Sequence, residues 1–138
     1  MIGLFAIGAG SALIILYYYL ESPHLISKDQ AFEDALKFGG WNKTQLVNET
    51  VDMKLLQTKT NGVAFVLDDK TLKSEPYPVS QTYRSEIDEY VWQVKITKKL
   101  DEYHSHEWSY LIDASNGTLI DSGNHGIEYP RSLNDTSP

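Results

Sequence analysis

The N-terminal twenty residues constrain this chain more than any other feature. Met1–Leu20 contains no charged side chain, is almost wholly apolar, and ends close to three consecutive tyrosines, Tyr17, Tyr18 and Tyr19. As a helix rising about 1.5 Å per residue, such a segment is roughly 30 Å long, which matches the hydrocarbon core of a bilayer. Tyrosine rings at its end suit the headgroup interface. We therefore predict a single transmembrane helix over these residues.

The alternative for this segment is a cleaved signal peptide, and the surrounding residues argue against it. No basic residue precedes the apolar run, and its small residues, Gly8 to Ala12, lie in the middle of the run. A signal peptide instead has a basic start, and its small-residue cleavage site follows the apolar stretch. The sequence thus predicts an anchor that is retained.

Two features of the sequence disagree about the side of the membrane that the rest of the chain occupies. Lysines follow the apolar segment and none precedes it, which by the positive-inside rule favours the cytoplasm. Four Asn-x-Thr triplets favour export instead, because this triplet is the acceptor for N-glycosylation in secreted proteins. Their asparagines are Asn42, Asn48, Asn116 and Asn134. We predict an extracytoplasmic domain held at the cell membrane.

The net charge of the chain argues against nucleic-acid binding, and its lack of cysteine excludes disulfides. The formal net charge is −7, whereas nucleic-acid-binding domains carry a basic surface, so we expect no nucleic-acid partner. The chain contains no cysteine, which excludes disulfides and leaves the compartment undecided.

Hydrophobic periodicity after the apolar segment predicts one helix followed by strands. Ser27 is a candidate N-cap, Gln30 completes a capping box, and apolar residues recur at helical spacing until Gly39-Gly40. From Leu46 the period changes to two, which is typical of a strand. Asn61-Gly62 predicts the turn of a hairpin into the apolar residues that follow it.

The second half of the chain predicts a loop, two long strands and a closing hairpin. Residues 68–88 contain two prolines and many polar side chains, which favours a loop. Aromatic and β-branched residues then alternate over residues 90–97 and again over residues 107–113, and Asn116-Gly117 predicts a tight turn. The predicted organisation is a transmembrane helix, a linker, an α+β domain with one helix packed on an antiparallel sheet, and a loose tail, at residues 1–20, 21–26, 27–123 and 124–138.

Two motifs at the ends of the predicted domain resemble those of the PepSY family. Residues 26–36 fit the family's pattern Ile-Ser-x-x-x-Ala-x-x-x-Ala-Leu position for position. Residues 112–120 resemble its closing pattern, Val-Asp-Ala-x-x-Gly and two apolar residues, with Ile112 in place of the valine and Gly117 in register. The chain departs from the family between Leu46 and Glu89, where it is longer.

The resemblance implies a non-catalytic interaction module with no cofactor. PepSY-like domains occur in propeptides of secreted metallopeptidases and in membrane-tethered envelope proteins, which implies a peptidase or another envelope protein as the partner. We expect the partner to bind the sheet face opposite the helix, or the loop Ser74–Ile87. The alternative is a single-span accessory subunit of a larger membrane complex, because small residues allow close packing of transmembrane helices. The small residues concerned are Gly3, Ala6, Gly10 and Ser11.

One cluster of residues could ligate a metal. Glu102, His104 and His106 share one side if the chain is extended there, with His125 further along, and such nitrogen and oxygen ligands suit zinc or copper. The alternative is a solvated loop in which the histidines are polar surface residues. We adopt the second interpretation and assign no metal ligand. Gly-x-Ser-x-Gly, the motif of one class of serine hydrolase, is also missing from the sequence, and we assign no catalytic residue.

Overall fold

The computed structural model describes most of the chain that follows the apolar segment. The predicted transmembrane helix and the Asn61-Gly62 turn lie outside the described residues. No helix within the described part of the chain is long and apolar enough to cross a bilayer. The described ranges are residues 24–60, 63–80 and 88–130.

The described residues form one α-helix and a six-stranded antiparallel sheet, which confirms the predicted α+β class. The sheet order is β3-β2-β1-β4-β5-β6, and every pair of neighbouring strands is antiparallel. The helix packs on one face of the sheet, against β4 and β5. The elements are α1 Lys28–Gly39, a short 3₁₀ helix Lys43–Gln45, β1 Thr50–Thr58, β2 Val63–Leu67, β3 Val79–Ser80, β4 Glu89–Lys99, β5 His104–Asp113 and β6 Leu119–Glu128.

Helix α1 begins and ends where the sequence predicts. The Ser27 hydroxyl oxygen accepts a hydrogen bond from the Gln30 backbone N–H at 3.1 Å. A capping box would also bond the Gln30 side chain to the Ser27 backbone N–H. In the structure the Gln30 side chain instead donates to Asp34, one turn further along the helix, at 3.0 Å. Gly40 ends the helix with φ 69°, a left-handed conformation that glycine adopts without steric cost.

The main core lies between α1 and one face of the four inner strands, β2, β1, β4 and β5. The alternation predicted over residues 90–97 is confirmed in β4, because Trp92, Val94 and Ile96 all belong to this core. Burying each such side chain stabilises the fold by about 1.5–3 kcal/mol. The helix and the other strands contribute Ala31, Ala35, Leu36, Leu55, Leu67, Tyr110 and Ile112.

The structure moves the start of the first strand from Leu46 to Thr50. Leu46 is the C-cap of the 3₁₀ helix, and Val47 is 79% exposed. Asn42 accepts a hydrogen bond from the Thr44 N–H at 3.2 Å, and its own N–H donates to the Gln45 side chain at 3.3 Å. These local bonds stabilise a helical turn that ends at Leu46, the residue at which the apolar alternation had predicted the strand to begin.

Two segments predicted to be irregular contain strands. Val79–Ser80, inside the predicted loop, forms β3 and pairs with β2. The predicted loose tail was also wrong at residues 124–128, because β6 continues to Glu128 and pairs with β5 along its length. The glycine and polar residues of β6 obscure it in the sequence, and most of this end strand is exposed to solvent.

The two motifs that resemble the PepSY family contact each other. The Ile26 N–H donates to the Ala114 carbonyl at 2.7 Å, and the Trp92 indole N–H donates to the Ile26 carbonyl at 3.0 Å. Gly117 has φ 77°, and a Cβ at this position would lie 2.7 Å from the Asp34 carboxylate. The end of the predicted linker is therefore part of the domain, and both motifs serve one packing arrangement.

Candidate functional site: a groove on the open sheet face

The sheet face opposite α1 carries an open groove of about 410 Å³. Strand register places its residues side by side, because Lys95 pairs with Ser109 and Ser109 pairs with Gly123. Glu107 and His125 form the next such pair along β5 and β6. The principal polar side chains of the groove are Gln93, Lys95, Glu107, Ser109, Asp121 and His125.

Alternation along β5 explains why this groove is polar. Trp108, Tyr110 and Ile112 point to the helix side and belong to the core or pack against it. Side chains in a strand alternate between the two faces, so Glu107 and Ser109 point to the opposite side. One strand therefore supplies both the apolar face that holds α1 and the polar face that lines the groove.

Glu107 is the central charge of the groove. Its side chain is 15% exposed, and one of its carboxylate oxygens lies 3.9 Å from Lys95 Nζ and 3.8 Å from His125 Nε2. These distances exceed those of hydrogen bonds, so the contacts are electrostatic. The His125 side chain is 61% exposed, and that of Lys95 is 35% exposed. Lys95 and His125 can therefore contact a bound molecule while they remain near Glu107.

Buried apolar side chains lie beside the polar groove on the same face of the sheet. Leu56 and Val91 are opposite each other in β1 and β4, are 1% and 0% exposed, and lie outside the helix-side core. Leu111, in β5, is 7% exposed and also lines the groove. Leu56 and Val91 are therefore covered, and Leu111 is the apolar residue among the three that borders the groove.

The structure separates the four residues of the candidate metal cluster. His104 and His106 lie on the helix side of β5, whereas His125 points into the groove on the other face. Glu102 precedes β5 in an exposed turn, so the extended conformation that the metal hypothesis requires begins only at His104. The predicted solvated loop is corrected in turn, because His104 and His106 lie in β5. Within the described ranges, no three His, Asp or Glu residues are grouped so that they could hold a metal ion.

The two histidines at the start of β5 have other partners. His104 Nδ1 lies 2.7 Å from the Asp101 carboxylate, and His106 Nε2 lies 3.0 Å from the Asn124 side-chain oxygen. The His106 ring also packs on the Trp108 ring, with 4.5 Å between the centroids. Both side chains therefore have partners within the sheet and its adjoining turn.

Two carboxyl groups have a pKa below the ordinary value, and both lie in turns. Hydrogen bonds from the Tyr103 N–H and from the His104 side chain hold the pKa of Asp101 down. Backbone N–H groups of Thr71 and Lys70 do the same for the pKa of Asp68. In both turns the N–H groups bond to the charged form of the carboxyl and stabilise it.

The candidate glycosylation sites that the structure describes are all exposed. Asn42 begins the 3₁₀ helix, and Asn48 lies in the segment before β1. Asn116 lies in the β5–β6 loop, where its side-chain oxygen accepts a hydrogen bond from the Thr118 N–H at 3.0 Å. Asn134 lies outside the described residues.

Sequence reasoning did not identify the groove residues as a site. Polar residues at every second position, Gln93 and Lys95 in β4 and Glu107 and Ser109 in β5, indicated a polar sheet face. The third strand that lines the groove is β6, and residues 124–128 of that strand had been predicted to be a tail. Comparison of the chain with family models, with curated proteins and with solved structures finds no match in any of the three.

Proposed function

We propose that this protein is a non-catalytic, membrane-anchored, PepSY-like interaction module whose groove binds a segment of a peptidase or of another envelope protein. The main support is the position of the Lys95–Glu107–His125 cluster on the sheet face that α1 does not cover. A charged cluster of this kind favours a polar partner and sets its orientation.

The shape of the groove favours an extended segment over a small enclosed ligand. The groove is open and crosses β4, β5 and β6, which at about 4.8 Å per strand makes it roughly 10 Å wide. Lys95 and His125 offer hydrogen-bond donors to such a segment, and Asp121 offers an acceptor. Leu111 gives the segment an apolar contact at the floor.

The proposed location is the outer side of the cell membrane. The apolar residues 1–20 would hold the domain there as a single-pass anchor. The exposed positions of Asn42, Asn48 and Asn116 support this side, because each could carry a glycan without disturbing the core.

Site-specific photo-crosslinking in native membranes tests the proposed groove. A photoreactive benzoylphenylalanine at Ser109 of the full-length protein should give a discrete adduct with one envelope protein. The same group at Glu33, on the exposed side of α1, is the matched control and should not. The Ser109 adduct should weaken several-fold when Lys95→Ala and Asp121→Ala are combined. Equal adducts from both positions, or an adduct from Glu33 alone, would contradict the proposal.

A second docking surface and a second function are distinguished in the same assay. If Glu75–Val79 is the docking surface, a Gly/Ser linker in its place abolishes the adduct, while the groove substitutions leave it unchanged. If the protein is instead an accessory subunit of a membrane complex, the adduct is lost when Met1–Leu20 is exchanged for an unrelated transmembrane helix. The small residues Gly3, Ala6 and Gly10 favour that second function, since they allow helices to approach closely.

A further inference from the structure

We propose that the outer edge of β6 pairs with the same edge of a second copy of this chain, antiparallel and centred on Gly123. This inference does not depend on the function proposed above. Strand β6 is ten residues long and lies at one end of the sheet. Among the residues that the structure describes, no strand pairs with its outer side. An unpaired edge of this length presents a row of backbone donors and acceptors to a further strand.

The hydrogen bonds to β5 determine which backbone groups point outward. The Tyr129 N–H donates to the Tyr103 carbonyl at 2.7 Å, directly beyond the His104–Glu128 pair. Directly bonded pairs alternate with non-bonded pairs in an antiparallel ladder. Odd-numbered residues from 121 to 129 therefore bond to β5, and even-numbered residues direct their N–H and C=O groups outward. Ser122 agrees with this assignment, because its N–H donates to the side chain of Asp121 at 2.9 Å.

The pairing of an acidic side chain with a histidine selects the register between the two copies. Identical antiparallel edges are related by a twofold axis, which can pass through Gly123, Asn124 or His125. The axis at Gly123 places Asp121 of each copy opposite His125 of the other, where an imidazole N–H can donate a hydrogen bond to the carboxylate. The axis at Asn124 places Asp121 opposite Ile127, and the axis at His125 places two histidines opposite each other.

The edge has the steric freedom that this register needs. A Cβ at Gly123 would meet nothing within 4 Å, so no side chain of the described residues crowds the position of the twofold axis. Residues 119–128 contain neither lysine nor proline, two residue types that commonly protect a sheet edge from pairing. In the pair, the Ser122 N–H would pass from the side chain of Asp121 to the carbonyl of Asn124 in the second copy. The Asp121 carboxylate would then be released to His125 of that copy.

The pairing has a consequence for the grooves. The twofold axis of such a pair is perpendicular to the sheet, so both copies have their helices on one side and their grooves on the other. Asp121 and His125 line the groove and also face the second copy, so the two grooves would meet at the β6–β6 seam.

Cysteine crosslinking of the full-length protein in native membranes tests the proposal. The chain has no cysteine, so Gly123→Cys forms a disulfide only between copies or with another protein. Opposed Cα atoms in a non-bonded antiparallel pair are about 4.5 Å apart, within the range for a disulfide. The matched control is Gly126→Cys, at an equally open position where the two copies would place their cysteines roughly 20 Å apart. We expect a disulfide dimer from Gly123→Cys that forms at least ten times faster than that from Gly126→Cys.

A second pair of variants tests the role of the backbone edge. Ser122→Pro in the Gly123→Cys protein removes an outward N–H without removing a bond to β5, and it should abolish the disulfide dimer. Ser122→Ala in the same protein keeps the N–H and should crosslink at the parental rate. Circular dichroism checks that both variants are folded. Equal crosslinking at positions 123 and 126, a dimer that survives Ser122→Pro, or a disulfide to a different protein would each overturn the proposal.

Discussion

Substituting Gly39 by alanine has two opposite effects on stability. Helix propensity favours the alanine, whereas the packing around Gly39 disfavours it. Gly39 is the last residue of α1, and alanine in a helix is favoured over glycine by up to about 1 kcal/mol. A Cβ at this position would overlap the Tyr110 hydroxyl and lie 2.5 Å from Cδ1 of Trp41. These two aromatic side chains hold each other through a hydrogen bond of 2.8 Å from the Trp41 indole N–H to the Tyr110 hydroxyl.

The expected result is a loss of stability. Overpacking costs about 1–3 kcal/mol, and breaking the indole–hydroxyl bond costs about 1 kcal/mol more. Helix propensity offsets about 1 kcal/mol of this, so the free energy of unfolding should fall by about 1–3 kcal/mol. For a domain of this size, that change lowers the melting temperature by roughly 5–20 °C.

The assay is a thermal melt of the full-length protein in mild detergent, followed by near-ultraviolet circular dichroism, which reports aromatic packing. Tyr110→Phe is the control background, because it removes the hydroxyl that the new methyl group would meet. The loss caused by Gly39→Ala should be smaller in that background than in the parent. An increase in melting temperature on Gly39→Ala would show that helix propensity dominates and would refute the packing argument.

Three further predictions concern the core, the acidic turns and the histidines. Ile112→Ala, at a fully buried position, should cost about 2–5 kcal/mol in a denaturant titration, whereas Leu119→Ala, at a position 37% exposed, should cost less than about 1 kcal/mol. The pKa of Asp101 in a carbon NMR titration should lie below that of an ordinary aspartate, and His104→Ala should raise it without fully restoring the ordinary value. Because this pKa is lowered in the folded state, Asp101 should stabilise the fold above the ordinary aspartate pKa, and that stabilisation should disappear as the pH falls through the lowered value. Adding EDTA should leave the melting temperature unchanged; a large fall that His104→Ala combined with His106→Ala abolishes would reveal a structural metal.

The sequence predicted those elements whose chemistry is local. Ser27 and Gly40 bound α1 because a hydroxyl cap and a left-handed glycine act within one turn of the helix. Gly117 has the positive φ that its place in the closing turn predicts. The apolar alternation of β4 identified its core face for the same reason, since it depends only on the period of a strand.

The features that the sequence did not predict depend on neighbours in space. His125 follows His104 and His106 in the chain, but the pairing of β6 with β5 places it on the opposite face of the sheet. The groove exists because β4, β5 and β6 are adjacent, which alternation within each strand does not establish. The 3₁₀ helix is different, because Asn42 and Gln45 have the spacing of a capping box and the sequence therefore contained its signal.

The hydrogen bond between Ile26 and Ala114 determines which end of the domain a membrane anchor would hold. If residues 1–20 span a bilayer, the six residues from Leu20 to Ile26 reach at most roughly 20 Å. Because Ile26 is fixed to Ala114, the β5–β6 loop would then lie within that distance of the end of the span. A glycan on Asn116, in the same loop, would then lie close to the lipid headgroups, whereas the turn before β5, at the other end of that strand, could lie up to the length of β5 farther from the anchor.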